Sequence, residues 1–224
     1  GKLSYDGYKK VWSDEFNGDS LNRADWNVET HEKGWVNNEL QEYVDSAENI
    51  QVKDGKLIIN PVKKVTDGDT GSTKEAASYT SGRVSTQNKQ TFIYGRFECR
   101  AKVPKGQGYL PAFWLMANDE NVYGQWPRCG EIDCMEVMGQ ETNKAYGTLH
   151  YGNPHSQSQG TYTITDGADF SDDFHIYTCD WEPGKITWYV DGVKYHEESE
   201  WHSTTVGQGT LASVSYTHLT LPTN

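Results

Sequence analysis

The sequence has no apolar run approaching the roughly 18 residues needed to cross a bilayer, and no charged-then-apolar block opens it. A membrane anchor is therefore not expected, and any export signal is expected to have been removed. Runs of Lys or Arg are absent and the formal net charge is −12, a field that repels phosphate backbones and anionic lipid heads, so neither nucleic acid nor membrane is an expected partner. There is no Asn-x-Ser/Thr sequon. Only four cysteines occur, Cys99, Cys129, Cys134 and Cys179, without the close pairs of a zinc site. They read as buried free thiols, with three disulfide connectivities as the alternative. No Gly-x-Ser-x-Gly marks a serine hydrolase, and no His spacing suits a metal hydrolase. Asp67-Gly68-Asp69-Thr70-Gly71 hints at a calcium loop but fails, because the twelfth position from Asp67 is Ser78 and not Glu. Residues 64–77 are thus expected to form a solvated surface loop.

Present in quantity are 22 Gly, 14 Tyr and 8 Trp, in short alternating segments bounded by Gly, Asp and Asn rather than at helical spacing. That pattern predicts an all-β sandwich, for which 224 residues are compatible with one domain. Asp54-Gly55 and Asp191-Gly192 accept the positive φ of tight turns, predicting hairpins over 50–59 and 186–195. Further strands are predicted at 82–86, 94–103, 110–117, 131–137, 145–151 and 175–181.

The chemistry concentrates in Gly130-Glu131-Ile132-Asp133-Cys134-Met135-Glu136, three acids in an otherwise apolar strand. Alternation puts Glu131 and Asp133 on one face and Ile132 and Cys134 on the other. Strict alternation would turn Glu136 away, and a β-bulge near Cys134-Met135 would return it. With one residue absorbed, the two glutamate Cα atoms would lie roughly 13 Å apart. Their carboxyls would then be some 5 to 7 Å apart, near the roughly 5 to 5.5 Å of retaining glycosidases. Three adjacent carboxylates cannot all ionise cheaply, so at least one should hold a proton at neutral pH, as a general acid must. The plainer reading is a solvated strand face or a metal cluster, against which Trp126, Ile132 and Met135 argue.

At this motif the chain resembles glycoside hydrolase family 16, in its laminarinase-like endo-β-1,3-glucanase branch, whose Glu-Ile-Asp-x-Met-Glu signature is matched from Glu131 to Glu136. Asp14-Glu15-Phe16-Asn17-Gly18, Asn37-Asn38-Glu39-Leu40-Gln41, Tyr94-Gly95-Arg96-Phe97-Glu98, Pro111-Ala112-Phe113-Trp114-Leu115 and Trp181-Glu182-Pro183 resemble successive segments of that branch, over residues 12–201. The resemblance implies a concanavalin A-like jelly-roll β-sandwich with a long cleft, Glu131 as nucleophile, Asp133 as assistant and Glu136 as acid/base. It implies sugar contacts for Trp126, Trp114, Asn38, Arg83 and His150. Parity supports Trp114, which faces away from Phe113 and Leu115, whereas Trp12, Trp26, Trp181 and Trp188 read as structural. The implied partner is a β-glucan polysaccharide, met by a secreted monomer, with no cofactor for catalysis. A structural calcium near main-chain oxygens of Glu15 and Gly55 is also implied, with its site incomplete. A non-catalytic glucan-binding module and a transglycosylase are the rival functions.

After residue 210 the family pattern stops. The catalytic domain is expected over residues 1–211, C-terminally incomplete, with 212–224 a non-native tail and an unpaired sheet edge left behind.

Overall fold

The computed structural model of the protein describes residues 6–65, 77–201 and the backbone of 216–220. The first strands in chain order are β1 (Asn27–Val28), β2 (Gln41–Tyr43), β3 (Ile50–Lys53), β4 (Lys56–Ile59), β5 (Val62–Val65), β6 (Ala77–Ser81) and β7 (Arg83–Ser85). Then come β8 (Gly95–Ala101), β9 (Ala112–Met116), the single-turn helix α1 (Glu120–Tyr123), β10 (Glu131–Glu136), β11 (Lys144–Tyr151) and β12 (Ser156–Thr163). The last are β13 (His175–Glu182), β14 (Lys185–Val190), β15 (Val193–Glu198) and β16 (Tyr216–Thr220). A seven-stranded sheet runs β1-β7-β16-β9-β10-β11-β12, and a four-stranded sheet runs β15-β14-β13-β8. Among the described residues no helix is long and apolar enough to cross a membrane.

The two sheets close over one core because alternate residues of each strand are apolar and point inward. Phe113, Leu115, Ile132, Met135, Ala145 and Leu149 come from the seven-stranded sheet, and Tyr177, Cys179, Trp181, Ile186, Trp188 and Val190 from the four-stranded one. A second cluster, around Leu21, Trp26, Val52 and Val84, ties the β3–β4 hairpin and the N-terminal segment to the end of the large sheet. The all-β expectation holds, and Asp54-Gly55 and Asp191-Gly192 turn with all four residues at positive φ. All four cysteines are free thiols. Trp26, Trp181 and Trp188 are buried, and Trp12 packs against the second cluster, as their reading as structural residues expected.

The structure adds strands that patterning did not suggest. β12 reads Ser-Gln-Ser-Gln-Gly-Thr-Tyr-Thr and carries almost no apolar signal, yet it pairs along its whole length with β11. The edges of the expected 64–77 loop are strands β5 and β6, and residues 66–76 lie outside those described. The expected boundary at 211/212 also lies outside them. The backbone of β16 falls between β7 and β9, with His218 in register with both Ser85 and Trp114. In the structure, therefore, the unpaired edge expected there is filled: β7 and β9 both bond to β16.

Candidate active site

The β10 register decides what the three acids can do. Against β9, Glu131 faces Met116, Asp133 faces Trp114 and Glu136 faces Ala112, which are alternate residues of a regular strand and share one face. Against β11 the partners are His150, Thr148 and Tyr146, again alternate. Register slips between Asp133 and Met135 on one side and between Asp133 and Glu136 on the other, so the expected bulge is present. Cys134 is the extra residue. It goes into the core with Met135 and Ile132, while the carboxyls emerge together on the opposite face.

The acids lie close enough to couple. Asp133 is 2% exposed and within hydrogen-bond reach of both Glu131 and Glu136. Burial first, and the neighbouring Asp133 charge second, push Glu131 well above the usual carboxylate range. Burial and the Glu136 charge do the same to Asp133. Glu136 is pushed up to about 7 by burial and then by the Glu131 charge, against the hydrogen bond with Asp133. Desolvation disfavours every charge here, and the second and third charges must also overcome the first.

The flanking residues sort the three. Trp126 is 42% exposed, and its indole Nε1 donates to Glu131 Oε1 at 3.1 Å. The backbone N–H of Trp126 donates to Glu120 Oε1 at 2.8 Å, which holds the ring-bearing loop to α1. His150 Nε2 lies 2.9 Å from Asp133 Oδ2 and 3.7 Å from Glu131 Oε2. Glu131 thus has a donor of its own, whereas Glu136, raised to about 7, has Asp133 as its hydrogen-bond neighbour.

Of the other expected site residues, Trp114 lies beside Asp133 on the cleft face, as parity required. Arg83 is buried, with its guanidinium carbon 4.9 Å from the ring centroids of both Trp35 and Trp114 and its Nε 3.4 Å from Glu29 Oε1. It therefore meets the cleft through those rings. Asn38 is exposed on the same 31–40 loop as Trp35, in left-handed backbone conformation. Glu15 and Gly55 are exposed and belong to loops that meet through Phe16, Val52 and Leu57. Among the described residues the His/Cys/Asp/Glu group able to converge on a cation is instead Glu131, Asp133 and His150, within 4.8 Å of one another.

Two side chains escaped the sequence reading. His155 Nε2 lies 2.9 Å from His150 Nδ1, and its ring stacks on that of His150 at 5.1 Å and tilts against Trp126 at 5.1 Å. The turn at Gly152, with φ 77°, brings it back over the strand, and only the spacing of two His across a Gly-Asn-Pro turn hinted at this. Trp35, stacked on His31 at 3.4 Å and 5°, was likewise missed.

The family model for "Glycosyl hydrolases family 16" matches residues 37–214. The chain is 39% identical to glucan endo-1,3-beta-glucosidase A1 of Niallia circulans, over 88% of this chain and 31% of that protein. It is 43% identical to a glucan endo-1,3-beta-glucosidase of Cryptopygus antarcticus, over 84% of this chain and 68% of that one. Against the X-ray structure of an endo-beta-1,3-glucanase from Pyrococcus furiosus, the TM-score is 0.79 at 34% identity, covering 96% of this chain and 83% of the other. The chain thus spans about a third of the Niallia relative and about two thirds of the Cryptopygus one.

Proposed function

Because this chain belongs to glycosyl hydrolases family 16, we propose that it is a retaining endo-β-glucanase hydrolysing β-1,3-glucan, and mixed-linkage β-1,3-1,4-glucan where the cleft admits it. The observation that carries this reading is the bulge that sets Glu131, Asp133 and Glu136 opposite alternate residues of β9. Two carboxyls on one face, one with a dedicated donor and one protonated up to about pH 7, are what double displacement requires.

In the first step a Glu131 oxygen bonds to the anomeric carbon while the glycosidic C–O bond breaks, and Glu136 gives its proton to the departing sugar oxygen. Esterification removes the Glu131 charge. That charge had raised Glu136, so the acid becomes a competent base once it is gone. In the second step Glu136 takes a proton from water, the water oxygen bonds to the anomeric carbon, and the ester C–O bond breaks to restore Glu131. Asp133, tied to His150, shares hydrogen bonds with both glutamates and keeps their carboxyls oriented.

Trp126 offers an exposed ring to the apolar face of a sugar beside Glu131, and Trp114 a half-buried one opposite Asp133, steadied by Arg83. Asn38, on the loop that carries Trp35, extends the same binding surface. The chain acts outside the cell as a monomer. A calcium bound near Glu15 and Gly55 would be structural; two main-chain oxygens fall short of the roughly six to eight that calcium takes, and no step passes through it.

Incubation with laminarin, lichenan and agarose, with product linkage and anomeric configuration followed by NMR, tests the reading. Products that first appear with retained configuration are expected, and an initially inverted anomer would overturn it. Product sizing separates hydrolysis from transfer to a second sugar.

A further inference from the structure

Trp188 is wholly buried in β14, in the sheet opposite the acids. Its indole Nε1 nevertheless donates to the main-chain oxygen of Asp133 at 2.9 Å. That carbonyl stands where β10 loses register with both of its neighbours. A regular ladder satisfies each carbonyl from the adjacent strand, whereas a bulge leaves one behind, and a buried carbonyl without a donor is costly. The indole supplies the donor from across the core.

The surrounding sequence makes room for this contact. A Cβ on Gly147 of β11 would lie 2.3 Å from Trp188 Cδ1 and 2.4 Å from the Tyr195 hydroxyl, so any side chain there would drive the indole off Asp133. On the other side of the ring, His196 stacks on Trp188 at 4.6 Å and 24°. A Cβ on Gly160, the cross-strand partner of Gly147, would meet the His196 Cβ at 2.4 Å. Ser158 Oγ lies 3.1 Å from His196 Nε2 and fixes that ring in turn. β14 also slips register against β15 between Trp188 and Tyr189. Two irregular strands in opposite sheets thus meet through one indole, seated over Gly147 while His196 sits over its partner Gly160.

We propose that Trp188 is a positioning residue, whose indole N–H holds the Asp133 carbonyl and so sets the bulge that turns Glu136 onto the face of Glu131. The inference deepens the functional reading above and rests on it for the roles of the two glutamates. Its physical content is separate: one hydrogen bond across the core maintains the spacing of the carboxyls.

Trp188→Phe removes the N–H and keeps most of the ring. On laminarin, kcat should fall about 10- to 100-fold, the scale of a small misplacement of reacting groups, with KM within about twofold. Ile186→Val, a buried change on the same strand, is the control: it lowers Tm but should leave kcat and the pH profile intact. A readout independent of turnover is the titration of Glu136 in 13C-glutamate-labelled protein, which should move away from about 7 in Trp188→Phe and stay there in Ile186→Val. Should Trp188→Phe fail to fold, benzothienylalanine at position 188 keeps the bicycle and lacks the donor. The inference is overturned if the donor-less protein retains both kcat and the Glu136 titration. If the unaltered protein cleaves no glucan, the functional reading fails instead, and the titration alone decides the role of Trp188.

Discussion

Asp133 and Asp180 occupy inner strands of the two sheets, and both are almost fully buried, at 2% and 5% exposure. Asp180 faces Arg96, whose Nε and one terminal nitrogen donate to its two oxygens at 2.6 and 2.8 Å. Asp133 faces two further acids and one imidazole. The difference teaches how to tell a structural acid from a working one. A planar guanidinium neutralises and satisfies a carboxylate completely, leaving nothing to exchange. An acid among acids keeps a proton in reserve and holds electrostatic free energy that a reaction can use.

The comparison breaks most sharply at Glu131. Glu131→Gln should cost at least about a thousandfold in kcat on laminarin while binding in affinity electrophoresis persists, since the amide cannot form the ester. Asp180→Asn should do the reverse, lowering stability by about 3 kcal/mol in urea titration, because it strands the Arg96 charge, with kcat within about twofold of the original. An inactive but folded Asp180→Asn protein would erase the distinction between the two sheets.

The proton reserve has its own signature. Glu136 is raised from 4.5 to about 7 in the folded chain, so between those values the folded state binds the proton more tightly than the unfolded state does. Its contribution to stability therefore falls as pH rises through that window, and Glu136→Gln should be the more stable protein above pH 7, by up to about 3 kcal/mol. Thermal denaturation at pH 5 and pH 8 checks the sign: the variants should converge at the lower pH. Activity of the unaltered enzyme should decline as pH passes about 7, where Glu136 loses the proton it must donate. The smallest effect is expected from Trp126→Phe. It removes the donor to Glu131 Oε1, and should lower kcat about three- to tenfold, the scale of one ordinary hydrogen bond, while moving the acid limb of the pH profile upward.

Much of this was legible beforehand where the signal is local. Glu131, Asp133 and Glu136 lie within six residues, and period-two alternation alone demands a bulge if all three are to share a face. The Asp-Gly turns at 54–55 and 191–192 were readable because positive φ selects such residues. β12 was not, since a strand at the sheet edge, polar along most of its length, has little apolar periodicity to betray it.

What the sequence determined by itself was the all-β alternation, the cluster of acids and the parity that frees Trp114 from the core, because each follows from neighbours along one chain segment. What only the tertiary structure decided was every contact between segments. Trp188 reads as one more core aromatic until its N–H is found on the Asp133 carbonyl, 55 positions away. His155 reads as a loop residue until the turn lays it on His150. Arg83 reads only as a polar cleft residue until the structure sets its guanidinium against the Trp35 and Trp114 rings. Hydrogen bonds and ring stacks act over a few ångströms of space whatever the separation in sequence, so no periodicity records them.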